Sequence, residues 1–393
     1  MKLYAQIGHG LGDKVNKGLS QNLIAGAIFS PKDLQKSTMK EKISAMRSEF
    51  TDAEILIDPQ FYISLYSGSQ EINAGKIFDW DYFKTYRKGQ LELNETIDKV
   101  LNEYFQEVVD FDATGIISPN IYISQSFDSR EAVIAKNFIR QAKRIYDSFG
   151  ETRPLYTSLI VSRETLQDRR EFEEFINDIT LLDNPPDGFY LIVASRSTES
   201  ISDIYHTDVV ANWMVLNLSL SINGFQVING YSDLLTPFLG AAGGTAGATG
   251  WFSNLRMFSM ERFYRSSGGK LPVIRYLSKA LLNRIMVSEK DIISQFVPEV
   301  INDLPHDEDY KPEPERSEEI LQSWEAINSL NDELADDDIE ESLNKTRLFV
   351  QHAEQIYSEI ASSGIPPLDK KSRDDHIQPL LEGLRQFKER AEL

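Results

Sequence analysis

The feature that most constrains this chain is an alternation. Eight short apolar runs occur before residue 252: Leu3–Gly8, Leu23–Phe29, Glu54–Asp58, Asn120–Ser124, Tyr156–Ser162, Gly188–Ser195, Phe225–Tyr231 and Ala246–Trp251. Most of them lead into a stretch of helical periodicity. Strands that alternate with helices indicate a parallel sheet. Runs such as LIAGAIF and FYLIVA carry no polar alternation, as expected of strands buried on both faces. Eight such units within about 250 residues predict a closed ring. The expected fold is therefore α/β, a (β/α)8 TIM-type barrel with a C-terminal acidic helical extension. In such barrels the chemistry sits at the C-terminal ends of the strands. The fold says where to look and leaves the reaction open.

The barrel is expected over residues 1–276. An aromatic-rich insertion, at about 61–94, holds Phe61, Tyr62, Tyr66, Phe78, Trp80, Tyr82, Phe83 and Tyr86. That composition is not one of disorder, so it reads as a packed lid or small subdomain over one side of the mouth. Helices are expected at Arg163–Leu181, at Ile201–Ile222 and from about Ser253. The clearest is capped by Asp128 or Ser129, with Val133, Ile134, Phe138, Ala142 and Ile145 at helical spacing. A helical connection at 277–302 follows, then an acidic, proline-rich linker at 303–316 and a helical tail at 317–393. In the tail, Leu321, Trp324, Ile327 and Leu330 form a stripe that must be buried against something. Either the barrel's outer helices or another chain would serve. The linker lets the tail reach away, which favours a protein partner or self-association through 317–393.

Cysteine is absent, which excludes disulfides, Cys-based zinc sites, Fe–S clusters and cysteine nucleophiles. The N-terminus runs straight into a strand without the apolar stretch of a signal peptide. No apolar run is long enough for a membrane span, so a cytoplasmic protein is expected. Net charge is −20, unevenly spread. Residues Ile301 to Leu393 hold 24 Asp/Glu and 10 Lys/Arg, a net of −14, which leaves −6 for the first 300. Bulk nucleic-acid binding is disfavoured, because it depends on Lys and Arg neutralising phosphates.

Two groups of residues point to chemistry. The first is the glycine-rich run Gly240–Trp251 across the connection between strands 7 and 8 and strand 8 itself. In barrels this region, with a nearby helix start, often binds phosphate. Gly247, Thr249, Gly250, Ser253, Asn254 and Arg256 are the candidate anion ligands. The bland reading is that the glycines allow close packing. Arg262 and Arg265 share a helix face that solvent would cover.

The second group is polar residues at strand ends. Asp58 ends an apolar strand before a proline and is the best candidate for general base or nucleophile. Asp233 and His9 are its candidate partners, against the plainer roles of a helix cap and a loop histidine. Arg163 and Arg196 follow strands 5 and 6 as further ligand contacts. A metal site is weakly indicated: strand 1 offers His9 alone, and His206, His306, His352 and His376 fall on expected helices, linker or tail. No cofactor motif stands out.

The run Asp58-Pro59-Gln60-Phe61-Tyr62 superficially resembles the aspartate-bearing strand end of tRNA-guanine transglycosylase-type barrels. Those enzymes usually carry an aspartate-serine-glycine-glycine-phenylalanine run and a Cys-rich zinc site. Here Pro59 and Gln60 stand at the small positions, and cysteine is absent. The resemblance implies glycosidic-bond or base-exchange chemistry without zinc, with Asp58 catalytic. The residues alone lead to a broader expectation: a soluble barrel enzyme, a hydrolase or glycosyl/base transferase, acting on a phosphate-bearing small molecule or nucleotide at the mouth. The alternative is a non-catalytic barrel subunit of a multiprotein assembly, contacting its partner through the acidic tail.

Overall fold

The computed structural model describes residues 1–65, 72–168, 171–197, 205–264, 272–308, 310 and 314–393. Its centre is a ring of strands: β1 (Lys2–Gln6), β2 (Gly26–Phe29), β3 (Glu54–Ile57), β4 (Ile116–Ser118), β5 (Leu155–Ser162), β6 (Gly188–Ser195), β7 (Gln226–Gly230) and β8 (Ala246–Thr249). Their order is β3-β2-β1-β8-β7-β6-β5-β4, and every neighbouring pair is parallel. Thr114 joins the two ends. Its N–H donates to the Ile55 carbonyl at 2.9 Å, and its hydroxyl accepts from the Ile55 N–H at 2.8 Å. The fold is the (β/α)8 barrel that the alternation predicts.

The registers fix which side chains face the barrel axis. Tyr4 aligns with Gly26, and Gly26 with Glu54. The Tyr4 hydroxyl donates to the Glu54 carboxylate, so this layer points inward. Side chains alternate along a strand. Gln6, Ile28 and Leu56 therefore form the next inward layer, and Ser30 and Asp58 follow at the mouth.

The fourth strand differs from expectation. Asn120–Ser124 was the expected run, but the ring strand is Ile116–Ser118, and Tyr122–Ile123 pairs further along β5 as a separate piece. Pro119 lacks an N–H and breaks the ladder. Asn120 bridges the break: its Nδ2 donates to the Ser158 carbonyl at 2.7 Å, and its Oδ1 accepts from the Ile121 N–H at 2.8 Å.

Helices α1 (Lys14–Ser20), α2 (Lys36–Glu49), α3 (Asn94–Val108), α4 (Arg130–Asp147), α5 (Phe172–Thr180), α6 (Thr207–Ile222) and α7 (Thr236–Ala241) follow their strands. Ser129 caps α4, its Oγ accepting from the Ala132 N–H at 3.2 Å. The stripe on α4 is buried as expected, except that Val133 is exposed while Ala135, Ile139 and Tyr146 join it. The expected helix at Arg163–Leu181 is two pieces, Arg163–Gln167 and α5. The aromatic insertion packs on α3 and α4 through Tyr82–Tyr104 and Phe61–Phe138 ring pairs at 4.9 and 5.5 Å. Its Tyr66 lies outside the described residues.

The largest departure follows β8. The helix expected from Ser253 is a single turn, Ser253–Arg256. Phe258 and Ser259 then pair with Ala194 and Ser195 at the end of β6. Instead of turning helical at Tyr276, the chain forms an antiparallel hairpin, β9 (Arg275–Ser278) and β10 (Asn283–Met286). The helix beside α1 and α7 comes later, as α8 (Arg316–Leu334). Trp324 lies over Gly18, where a Cβ would sit 2.7 Å from the indole. Asn331 Nδ2 donates to the Met1 carbonyl at 3.3 Å. Ile320, Trp324, Ile327 and Leu330 are fully buried, so the stripe in the tail is covered by the chain's own barrel. Helices α9 (Ile339–Ser362) and α10 (Ile377–Ala391) complete the tail. Helix α10 docks on α6, where Arg390 donates to Asn212 Oδ1 at 2.6 Å and Asp208 Oδ1 at 2.7 Å. Among the described residues no helix is long and apolar enough to cross a membrane.

Candidate functional site

Asp58 follows β3 and continues its ladder, its N–H donating to the Phe29 carbonyl at 2.9 Å. Gln60 turns the chain back with a left-handed φ of +52°. That turn aims the Gln60 N–H at Asp58 Oδ1, 3.0 Å away, while the Tyr62 hydroxyl donates to Oδ2 at 3.0 Å. The carboxyl is fully buried. Burial disfavours its charged form and pushes its pKa up to about 6, against the pull of these two hydrogen bonds and of the nearby Arg262 charge.

Arg262 comes from the segment Met257–Phe263, a strap that leaves β8, meets the end of β6 and crosses the mouth toward the loop after β2. Its side chain is 4% exposed. Nη1 donates to the Tyr231 hydroxyl at 2.8 Å and Nη2 to Asp33 Oδ2 at 3.3 Å. The guanidinium lies over the Tyr231 and Phe263 rings, 5.7 and 5.2 Å from their centroids. Phe258, on the same strap, meets Tyr62 and Tyr231 edge-on, both at 5.2 Å. Below lies Tyr190 of β6, whose hydroxyl donates to Gln6 Oε1 at 3.3 Å. Gly230 makes room for it, since a Cβ there would sit 2.6 Å from the Tyr190 hydroxyl.

Burial raises the pKa of Tyr231 to about 12 and those of Tyr62 and Tyr190 well above the usual phenol value. At neutral pH all three are proton donors. Among the described residues, Gln6 Nε2, Ser30 Oγ and Gln60 Nε2 are buried without a hydrogen-bond partner. Each such group costs on the order of 1–3 kcal/mol. Tyr231 and Asp233 after β7 share the left-handed backbone of Gln60, with φ of +55° and +43°. Strain of this kind, on the order of 1 kcal/mol per residue, persists only where packing imposes it.

The other expected residues lie elsewhere. Asp233 forms a buried pair with Arg284 of β10, both of its oxygens engaged, and its Oδ1 also accepts from the Thr249 hydroxyl at 2.5 Å. Burial raises its pKa, but Arg284, Arg256 and Thr249 outweigh that and hold the carboxyl below the usual range. Arg256 donates to the Gly250 carbonyl at 3.0 Å and to Glu319 Oε1 of α8 at 3.0 Å. A Cβ on Gly247 would sit 2.4 Å from Thr236 Oγ1, and one on Gly250 would sit 2.7 Å from the Gln6 carbonyl oxygen, so both glycines serve close packing. Ser253 and Asn254 open the one-turn helix. The His9 side chain is exposed, and its carbonyl accepts from Trp251 Nε1 at 2.8 Å. Arg163 is buried at the start of its short helix, while Arg196 is exposed and pairs with Glu164 at 2.6 Å. The structure thus brings Asp58 together with Arg262, Tyr62 and Tyr231, while Asp233 joins Arg284 in a separate pair. Polar residues at the last inward positions of apolar strands, Gln6 above all, were the signal available for the missed members. Arg265 lies outside the described residues. Among those described, no group of His, Asp or Glu is arranged to hold a metal ion.

No protein-family model matches the chain, and no curated protein matches it. Several solved structures of enzymes are distantly similar to it. They include an HpcH/HpaI aldolase from Desulfitobacterium hafniense, 9% identical over 63% of this chain and 85% of that one, with a TM-score of 0.34. A putative phosphonomutase from Burkholderia cenocepacia is 12% identical over 63% and 86%, with a TM-score of 0.33. Dihydrodipicolinate synthase from Bacillus clausii is 10% identical over 98% and 97%, with a TM-score of 0.34. Likeness at this level carries no argument about substrate or reaction.

Proposed function

We propose that this barrel is an enzyme that acts on a small anionic molecule, a phosphate-bearing compound or nucleotide, at the C-terminal mouth, with Asp58 as its general acid–base group. The observation that carries the reading is the inward layer at that mouth. There Asp58 holds a fully buried carboxyl, and among the described residues Ser30 Oγ on the neighbouring strand, Gln6 Nε2 one layer below and Gln60 Nε2 two positions on are buried without a hydrogen-bond partner. Stability alone favours none of these features. A carboxyl with a pKa of about 6 exchanges protons readily near neutrality. Tyr231, whose hydroxyl accepts from Arg262 and keeps its own proton, supplies a donor for charge that develops on a substrate, and the Arg262 cation favours an anionic one. Asp233 and His9 take no part in this step, since Arg284 engages the first and the second is exposed.

Mass spectrometry of small molecules that co-purify with the native protein is the first test. Asp58→Asn keeps the shape and removes the acid–base function. It is expected to lower turnover of the identified substrate by on the order of a hundredfold or more, with the fold intact. Unchanged turnover would sink the reading. A second reading, a non-catalytic barrel, draws support from the strap, which lies across the mouth and is held there by Arg262. Under that reading no small molecule co-purifies.

A further inference from the structure

We infer that Arg262 is the anion receptor of the mouth, and that Asp33 occupies it as an internal stand-in for a carboxylate or phosphate group of the substrate. The inference rests on the acid–base reading of Asp58, which places the reacting centre beside this cation.

The partners of Arg262 carry the argument. A guanidinium has five N–H groups, and a buried one needs them engaged. Nη1 is satisfied by Tyr231 at 2.8 Å and only grazes the Asn254 carbonyl at 3.5 Å. Nη2 reaches one oxygen of Asp33 at 3.3 Å. Among the described residues Nε has no partner. Strong arginine–carboxylate pairs are bidentate and shorter, roughly 2.7–2.9 Å. The same molecule shows one: Arg284 engages both oxygens of Asp233, with Nη2 at 2.8 Å from Oδ1. The Arg262–Asp33 pair is single, long and loosely made for a group buried so deeply.

The Tyr231 and Phe263 ring centroids lie 5.7 and 5.2 Å from the guanidinium carbon, and the Tyr231 hydroxyl takes Nη1, so the Nη2–Nε edge is the part left for ligand contact. Asp33 sits in the short loop after β2, whereas Arg262 sits on the strap. An incoming anion that takes Nη2 and Nε displaces Asp33 and removes one tie between the strap and that loop, leaving the Lys32–Phe263 contact at 5.7 Å. Entry and recognition then use the same bond. The planar fork suits carboxylate and phosphate alike.

The test titrates inorganic phosphate and acetate into the full chain by calorimetry. Asp33→Asn removes the internal competitor but keeps its size, and it is expected to tighten anion binding about tenfold or more over the wild type. Arg262→Gln is expected to abolish binding. Asp58→Asn is expected to retain it, so a loss of the acid–base reading shows in turnover and a loss of this one shows in binding. The preferred anion tells a phosphate substrate from a carboxylate one. Failure of both anions to bind Asp33→Asn, no gain in that variant over wild type, or a folded Arg262→Gln that still binds, each overturns the inference. If Arg262→Gln does not fold by circular dichroism, the Asp33→Asn result decides alone.

Discussion

Asp58 ionises reluctantly because water is excluded from it, and that has a cost in stability. Its folded pKa of about 6 lies above the ordinary aspartate value. Its favourable contribution is therefore full below the unfolded pKa and is lost as pH rises through 6. At neutral pH the ionised, desolvated carboxyl therefore destabilises the fold relative to a neutral group of the same shape. Asp58→Asn should raise the melting temperature at pH 7–8 even as it lowers the proposed turnover, the trade-off expected of a desolvated functional group. No stabilisation there would mean that the carboxyl is not desolvated. His376 works in the opposite sense. Burial between Tyr205 and Tyr357 lowers its pKa to about 4, although Asp374, Asp375 and the Leu281 carbonyl oppose this. Its contribution is present above pH 6.5 and is lost as pH falls toward 4. His376→Gln should flatten the acid limb of a stability–pH curve, and the two variants together separate the opposing trends.

At the scale of elements, a helix from the tail stands where one following β8 was expected. The chain after β8 is spent on the strap and the β9–β10 hairpin, so α8 reaches the barrel only at Arg316. Its hold depends on Trp324 over Gly18. Trp324→Ala should cost about 3–5 kcal/mol in chemical denaturation, the usual result of emptying a packed indole site. A loss below about 1 kcal/mol would show that α8 is not part of the cooperative core. Near the mouth, Arg256, Glu319 and Arg316 tie α8 to the end of β8. Glu319 is fully buried and pairs with both half-buried arginines, so removing an arginine leaves part of a buried charge uncompensated and is more damaging than the net contribution of the pair suggests.

For the molecule as a whole, the tail is part of the fold. Helices α8 and α10 cover apolar faces of α1, α6 and α7. A chain cut before Arg316 should expose those faces and aggregate, as judged by size-exclusion chromatography with light scattering. A monodisperse, cooperatively melting fragment would show that the barrel stands without its tail. On α8 and α10 the acidic residues Asp332, Glu333 and Glu389 are exposed, compatible with the apolar faces being turned inward; Glu319 is the buried exception.

Seven of the ring strands and the barrel were legible because each is a short, mainly apolar run followed by a helical stretch, and periodicity is a local property. The run Ile116–Ser118 was not, being too short to show a period. Helix α6 carried a readable sign that was not used: VVANWMVLNLSLSI is apolar nearly all round, which calls for cover on both faces. Asp58 was legible as a buried strand-end carboxyl. Its partners were not, because Arg262 lies more than 200 positions away and its spacing suggested a solvated helix face. Whether Asp233 meets Asp58 or Arg284, whether a glycine serves an anion or a close contact, and where an amphipathic stripe is buried are questions of long-range proximity. Local sequence determines which surfaces must be covered. Only the packed chain decides what covers them, because burial is non-directional and any apolar face of the right shape satisfies it.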